Sequence, residues 1–492
     1  MQKLREEPRQ LLWSRVLVAL CLAGMVLVVS MQSPMNPFRT SLGSVDSCVF
    51  HYVANVMEQG GLPYRDTFDH KGPLLYFINW LGLKLSYDHG TWYIEYVFLL
   101  AWAALVYETA RLFCSRVASC AVVCLSISGL FSCYFGGNYP ECYTLPFISG
   151  ALYIFTDYFL NGTVTRLRLV LCGASMACAL LLKPNSIAVW VVFSLTVLFQ
   201  CIRERQANRL LPFLGWFLLG AAVVLGPVLV WLIANGIWND FVQVYLLFNL
   251  EYAGAWSGMS VTAVAVRFLR RGLTFPCAVA AVLLALRERR TYWTAYVLYG
   301  AVSLWMCSVS RNLYTYYPIT LMPCYAVPFA KLLETVQTDR RHFADLQKLA
   351  VVMAAVLCMF WVEPLRTAAG GILHASQDVN LGDDQHQAVF AMIEEETMPD
   401  DKIIVYGNED AFYVYGHRMA ASKYSFQYPI LLIDAERRAE FFRQLEETPP
   451  KLIIVQSLWC DDDYIEGFLA EHPEYQKISD LTDYAVYRLE ES

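Results

Sequence analysis

Charge is scarce in this sequence: 16% of its 492 residues are Asp, Glu, Lys or Arg, against 57% hydrophobic ones. A soluble globular domain carries more charge and less apolar surface, which excludes a chain bathed in water on all sides. No convincing GxGxxG run follows a strand, so a dinucleotide-binding crossover is not expected. The fifteen cysteines show no paired spacing of a metal site or a disulfide set. Lying mostly within apolar runs, they read as small packing residues. A formal net charge of −7, with no concentrated basic face, argues against nucleic-acid partners. No small-residue cleavage site of the A-x-A kind follows the first apolar run, which therefore reads as a retained helix and not a signal peptide.

What the chain has in quantity is long hydrophobic runs. A bilayer core of about 30 Å needs roughly 20 apolar residues per helix. Candidate runs lie near 11–30, 91–110, 117–135, 142–160, 168–182, 186–201, 210–234, 272–286, 291–308, 318–334 and 346–363, predicting about eleven spans. Short cytoplasmic loops retain Lys and Arg. With the basic N-terminus "MQKLREEPRQLLWSR" inside, Arg111/Arg116, Arg166/Arg168, Arg203/Arg205/Arg209, "RERR" at 287–290 and "DRRHFADLQK" at 339–348 all fall on the cytoplasmic side. Arg267, Arg270 and Arg271 are the exception, falling at the outer surface. Either the count is locally wrong there, or those arginines meet an anionic group outside.

Three segments are too long or too polar to be simple connectors: 31–90 and 235–271, both placed outside, and the stretch from about 365 to the end. In the last, "DKIIVYG" (401–407), "KLIIVQS" (451–457) and "YAVYRLE" (484–490) read as strands, while 383–397, 434–447 and 462–471 carry helical patterns. Alternating strands and helices predict a small extracytoplasmic α/β domain over 365–492. It follows an α-helical polytopic membrane domain over 1–364. In the first outer loop, "DSCVFHYVANVMEQGGLPY" (46–64) reads as a helix stopped by Gly60-Gly61. "PLLYFINWLGLKL" (73–85) reads as another, started by Pro73 and too short to span.

The charge that is present gathers at the ends facing outward. "DTFDHKGPLLYF" (66–77) holds Asp69, His70 and Lys71 directly before an interfacial helix, and Asp46 opens the preceding one. Asn138 and Glu141 in "GGNYPECYTLPF", Lys183 in "LLLKPNS", and Arg311, Tyr314, Tyr316 and Tyr317 in "SRNLYTYYP" fall on the same side. A carboxylate there can take a proton from a hydroxyl or amine, and a Lys or Arg can stabilise a departing lipid phosphate. Each residue also has a plainer reading. Asp46 can be a helix N-cap, Asp66 a turn residue, and Lys71 a snorkelling side chain or a contact to anionic headgroups. Glu141 can be a solvated helix-end charge, the tyrosines an interfacial belt, and Asp463 with its neighbours in "CDDDY" helix-start charges. It is the coincidence on one face that separates the two readings.

An outer-loop Asp, then "G-x-P-Y-x-D" and "FDHKGPLLYF", resembles the GT-C class of membrane glycosyltransferases, especially bacterial relatives of the protein O-mannosyltransferases and of the aminoarabinose transferase that modifies lipid A. The resemblance extends over the whole layout. Its most specific part is "DHKGPLLY", where that class carries a Lys-Pro-Pro-Leu or Lys-Gly-Pro-Leu motif. It implies a sugar moved, with inversion, from a polyprenyl-phosphate donor to a glycan, lipid or protein acceptor of the bacterial envelope. Asp46 would be the catalytic carboxylate, and Lys71, with Arg311, the contact to the donor phosphate. Asp69, His70, Asn138, Glu141, Lys183 and Tyr316 would play supporting or acceptor-binding parts. The resemblance implies no required cofactor; a divalent metal is compatible with it but not indicated by any motif here. It places the chain as a multi-pass protein of the bacterial plasma membrane, among membrane lipids, N-terminus inside and C-terminus outside. In the mannosyltransferases the first-loop Asp is followed by Glu; here Ser47 follows, which weakens the implication of a protein Ser or Thr acceptor. The competing expectation is a transporter or flippase of lipid-linked sugars. That would call for internal repeats and midplane charges, and neither is found in the sequence.

Overall fold

The structure, a computed structural model, describes residues 8–38, 40–255, 259–338, 343–373, 379–428, 430–457 and 463–490. The first basic residues of the N-terminus, the "DRRH" of 339–342 and Asp461 and Asp462 lie outside the described residues. All eleven apolar runs fall on helix, from Pro8–Ser30 to Phe343–Leu373. Among the described residues, five segments are both long and apolar enough to cross a membrane: Leu12–Ser30, Gly90–Arg111, Leu210–Ala234, Tyr317–Val336 and Met353–Leu373. The remaining runs lie on helices that are shorter or more polar. The chain is a mostly helical, multi-pass membrane protein.

The arginines that broke the charge pattern sit at a corner. The helices Val261–Leu269 and Thr274–Glu288 meet at 92°, with Gly272 at φ +55° in the break. Arg271 donates from its guanidinium to the Thr315 carbonyl at 2.9 Å, fixing that corner to a neighbouring loop.

The chain divides into two compact units. The first comprises 1–33, 93–228 and 256–373. It is a helical bundle packed around large aromatic side chains, among them Trp102, Trp190, Tyr296, Tyr299 and Tyr325, all fully buried. Pro140 begins the Pro140–Asn161 helix, where its missing N–H is no loss, and Gly162 ends it in the left-handed conformation.

The second unit comprises 34–92, 229–255 and 374–492, so the segment 34–92 packs with the C-terminal α/β element. The strands are β1 (Thr40–Ser41), β2 (Val379–Asn380), β3 (Lys402–Tyr406), β4 (Met419–Ala420), β5 (Leu452–Gln456), β6 (Tyr475–Asp480) and β7 (Tyr484–Leu489). β1 and β2 form a short parallel pair, and the others a five-stranded sheet ordered β4-β3-β5-β7-β6. β3 runs parallel to β4 and β5, while β7 is antiparallel to β5 and β6. The central β3 and β5 are apolar on both faces and almost wholly buried, as strands covered by helices on both sides must be. Sequence signals placed β3, β5 and β7 to within a residue or two, but β4 is two residues long and β6 alternates polar residues on an exposed edge. The Asp384–Glu396 and Ala435–Glu447 helices are capped by Asp383 and Asp434, whose side chains accept the first free backbone N–H groups.

The helices Val45–Glu58 and Pro73–Leu85 and the loops beside them are seated on this element through polar bonds of their own. Tyr87 donates to the Val414 carbonyl at 2.7 Å, and Phe68 N–H to the Lys423 carbonyl at 2.8 Å. Ala420 N–H donates to the Tyr52 hydroxyl at 2.9 Å, and the rings of Tyr52 and Tyr413 lie 5.0 Å apart.

Candidate active site

In the second unit the motif "DHKGPLLY" folds back on itself. Tyr76, in the first turn of the Pro73–Leu85 helix, directs its hydroxyl to Asp69, whose carbonyl lies at 2.8 Å and Oδ2 at 3.0 Å, and accepts the Lys71 N–H at 3.0 Å. Tyr64 closes the other side, donating to the Lys71 carbonyl at 2.9 Å. Both tyrosines are buried, so the loop is held from inside.

Asp69 is buried and accepts the His70 N–H at 2.8 Å. The Lys71 ammonium lies 3.7 Å from its Oδ1 and 3.0 Å from His70 Nε2. Burial pushes the Asp69 carboxyl above its ordinary value, opposed by the Lys71 charge and the Tyr76 and His70 bonds; the negative charge of Asp46 adds to the rise. Lys71 keeps a quarter of its side chain exposed. It is the cationic end of a buried acid–base cluster.

Asp46 is half-buried in the first turn of Val45–Glu58. It is not the cap: Ser44 holds that position and accepts the Ser47 N–H at 3.4 Å. A carboxylate in a first turn gains from the helix dipole. Asp66 is the turn residue expected, accepting the Leu62 N–H at 2.7 Å.

The first unit holds the remaining candidates. Glu141 is fully buried, not solvated, and pairs with Lys183, whose ammonium also lies 3.9 Å from the centre of the Tyr317 ring. The second oxygen of Glu141 is sealed without a hydrogen-bond partner. Asn138 accepts the Tyr143 hydroxyl at 2.8 Å and gives its backbone N–H to Glu95 at 3.0 Å. Tyr316 stacks on Tyr139 with ring centres 4.3 Å apart. Arg311 is exposed, with φ +60°. Among the described residues no side-chain hydrogen bond or ion pair joins it to Glu141 or Lys183.

The match that places the chain among known proteins covers residues 9–361, which fit the family of the competence-induced protein Ccs4 N-terminal domain. The chain belongs to this family. No curated protein matches it. Among solved structures, this family member is similar to ArnT from Cupriavidus metallidurans bound to undecaprenyl phosphate, at 14% identity and TM-score 0.62 over 97% of this chain and 98% of that one. The apo state of the same enzyme aligns at 13% identity and TM-score 0.59, over 96% and 97%. The oligosaccharyltransferase of Archaeoglobus fulgidus aligns at 15% identity and TM-score 0.51, over 96% of this chain and 73% of that one. The fold is therefore GT-C.

Two of the three most deeply buried acids among the described residues escaped the sequence reading. Glu95 takes the Tyr134 hydroxyl at 2.8 Å as well as the Asn138 N–H. A Cβ at Gly137 would lie 2.9 Å from its Oε2 and 2.5 Å from Ser33 Oγ, so only glycine fits there. The signal was available: a lone acid in the apolar "WYIEYVFLL" is a functional or structural site by default. The other is Asp410 in "GNEDAF", at the carboxyl end of β3.

Proposed function

We propose that the protein is a membrane glycosyltransferase that moves a sugar from a polyprenyl-phosphate donor to an envelope acceptor at the outer membrane face. What carries this reading is the clustering of Asp46, Asp69, His70 and Lys71 in one unit of a chain with the GT-C fold; a neighbour of that fold was solved with undecaprenyl phosphate bound. In this reading Asp46 takes the proton from the acceptor hydroxyl or amine as its lone pair attacks the anomeric carbon. The bond from that carbon to the phosphate oxygen breaks, its electron pair leaves on the polyprenyl phosphate, and the configuration inverts. Lys71 meets the phosphate charge as it departs, with Arg311 as a second cation for the donor. Asp69 and His70 hold Lys71 in place, and Asn138, Glu141, Lys183 and Tyr316 shape the acceptor side. The finer topology belongs to the same proposal: about eleven spans, N-terminus inside, and residues 365–492 outside as a domain that governs acceptor access.

The test separates binding from chemistry in purified protein in nanodiscs. Asp46→Asn keeps shape and removes proton affinity, so single-turnover transfer falls by roughly 10²–10⁴ while donor binding persists. Lys71→Ala removes a charge-assisted contact of about 1.5–3 kcal/mol, weakening donor affinity by roughly 10- to 100-fold as well as slowing transfer. Near-normal transfer by Asp46→Asn at matched folding removes it from the mechanism. Donor binding and translocation without transfer by the wild type would return the transporter reading.

A further inference from the structure

The first unit holds a cavity that the reaction above does not use. It measures about 330 Å³ and lies among the helices Pro140–Asn161, Arg166–Leu182, Ala188–Arg203 and Leu210–Ala234. Phe155, Tyr158, Leu169, Leu198, Leu210 and Phe217 line it, and its wall is almost wholly apolar. Leu195, Leu198, Leu211 and Leu214 belong to the lining and are exposed as well, so the cavity opens sideways between the Ala188–Arg203 and Leu210–Ala234 helices. The second of these helices is among the segments apolar enough to cross a membrane. The opening therefore gives onto hydrocarbon, and in a bilayer an apolar cavity of this kind takes up a lipid chain and not water.

The sequence fixes both ends of this cavity. One end is a helix crossing. A Cβ on Gly173 would overlap the Phe217 carbonyl, and one on Gly220 the Val170 carbonyl, so the two glycines let the backbones of Arg166–Leu182 and Leu210–Ala234 touch. The residues of these two helices that line the cavity all precede those glycines. From Leu210 to Phe217 the wall runs along about 10 Å of helix.

The other end is basic. The two connections there and the helix ends they join, residues 162–168 and 203–209, carry five arginines and a single acid, Glu204. Arg166 lays its guanidinium 5.4 Å from the centre of the Trp216 ring, beside the lining residue Phe217. Arg209 directly precedes the lining residue Leu210. Asp157 is taken by Arg168, and among the described residues no carboxylate pairs with Arg166 or Arg209, both of which are exposed. An apolar slot that ends at uncompensated cations matches an amphiphile with an apolar chain and an anionic head.

We propose that this cavity is a site for one anionic phospholipid, its acyl chain between the Ala188–Arg203 and Leu210–Ala234 helices and its phosphate at Arg166 and Arg209. A zwitterionic lipid could fill the slot but would bring its own cation to the arginines. The site is built from the first unit alone and does not rest on the function proposed above. It lies at the end of the bundle that the arginine pattern assigns to the cytoplasm, and so draws on the inner leaflet.

The experiment uses the full chain in nanodiscs of phosphatidylcholine with a minority of phosphatidylglycerol. Native mass spectrometry of the released protein counts the lipid retained, and a phosphatidylglycerol with a photoreactive acyl chain marks where the chain lies. The wild type should retain phosphatidylglycerol over its share in the disc by roughly 10- to 30-fold, the effect of two arginines near the head, and the label should fall on 195–198 and 210–217. Arg166→Gln/Arg209→Gln should lose most of this preference while the chain still labels the same helices. Ser194→Phe, which enlarges a small residue of the cavity wall, should cut labelling there with either head group. If that variant does not fold, the arginine pair, which lies at the surface, still decides. Labels spread evenly around the bundle and unchanged by Ser194→Phe would reduce the lipid to an unspecific layer and overturn the proposal. Retention of the two lipids in proportion to their share, or a preference untouched by the arginine replacements, would overturn it too. Displacement of phosphatidylglycerol by an equal concentration of undecaprenyl phosphate would assign the cavity to a polyprenyl carrier instead.

Discussion

Removing the Lys183 ammonium should be one of the most damaging single changes in the first unit. Its partner Glu141 has no exposed surface, and Lys183 retains 16% of its side chain exposed, above the face of Tyr317. Lys183→Met keeps the aliphatic stem but leaves a fully buried carboxylate without its cation. Breaking a buried pair from one side costs about 3–5 kcal/mol, because the remaining charge is neither solvated nor compensated. The lost cation–π contact adds about 0.5–2 kcal/mol. Replacing both partners with neutral groups of similar size is commonly close to neutral, so Lys183→Met/Glu141→Gln should recover most of the loss. The assay is denaturant unfolding in one detergent at a fixed protein-to-detergent ratio, run as a double-mutant cycle, with transfer measured on the same preparations. The expected result is a coupling energy of several kcal/mol. Costs that add to within about 0.5 kcal/mol would mean that the two groups do not depend on each other, and would refute the reasoning. If the double variant folds but does not transfer, the pair serves the acceptor side and is not only scaffolding.

Ser44→Ala should destabilise the Val45–Glu58 helix by about 0.5–1 kcal/mol, the low end for a cap because the Ser44–Ser47 bond is long at 3.4 Å. Asp46→Asn should leave thermal stability nearly unchanged, and the opposite ranking would restore Asp46 as the cap. For Asp410, the folded protein holds its proton up to about 7, against an ordinary value of 3.8. Stability from this group is therefore full at low pH and declines between about pH 4 and about pH 7, by about 4 kcal/mol at most. Unfolding measured across that interval should slope less in Asp410→Asn. A reporter active only outside the membrane, fused after Ser492, should be active; activity of a cytoplasm-only reporter there would overturn the proposed topology.

Much of the fold can be read locally. Every apolar run lies on helix, and Pro73 begins its helix at the residue expected. The strands β3, β5 and β7 sit where short β-branched runs are flanked by turn residues. These signals are local because a span needs only apolar length and a buried strand only apolar, β-rich sequence. The motif "DHKGPLLY" was legible for the same reason: Asp69, His70, Lys71 and Tyr76 lie within eight residues, and a helix start brings them together. What stayed hidden were outcomes of packing. The cap reading of Asp46 stayed open because the sequence shows a residue type, not which of Ser44 and Asp46 has the extended backbone. Glu95 drew no notice because a single acid in an apolar run does not reveal that its partners, Tyr134 and Asn138, lie about forty positions on.

The sequence by itself determined that this chain lives in a membrane, where its helices run, and which short motif gathers charge, since these depend on composition and on neighbours a few residues apart. Only the tertiary structure decided that Glu141 is buried against Lys183 and that the segment 34–92 is built into the α/β element. Burial and charge pairing are set by which surfaces the folded chain brings together, and that information is spread over every helix and strand that must pack before two opposite charges can meet.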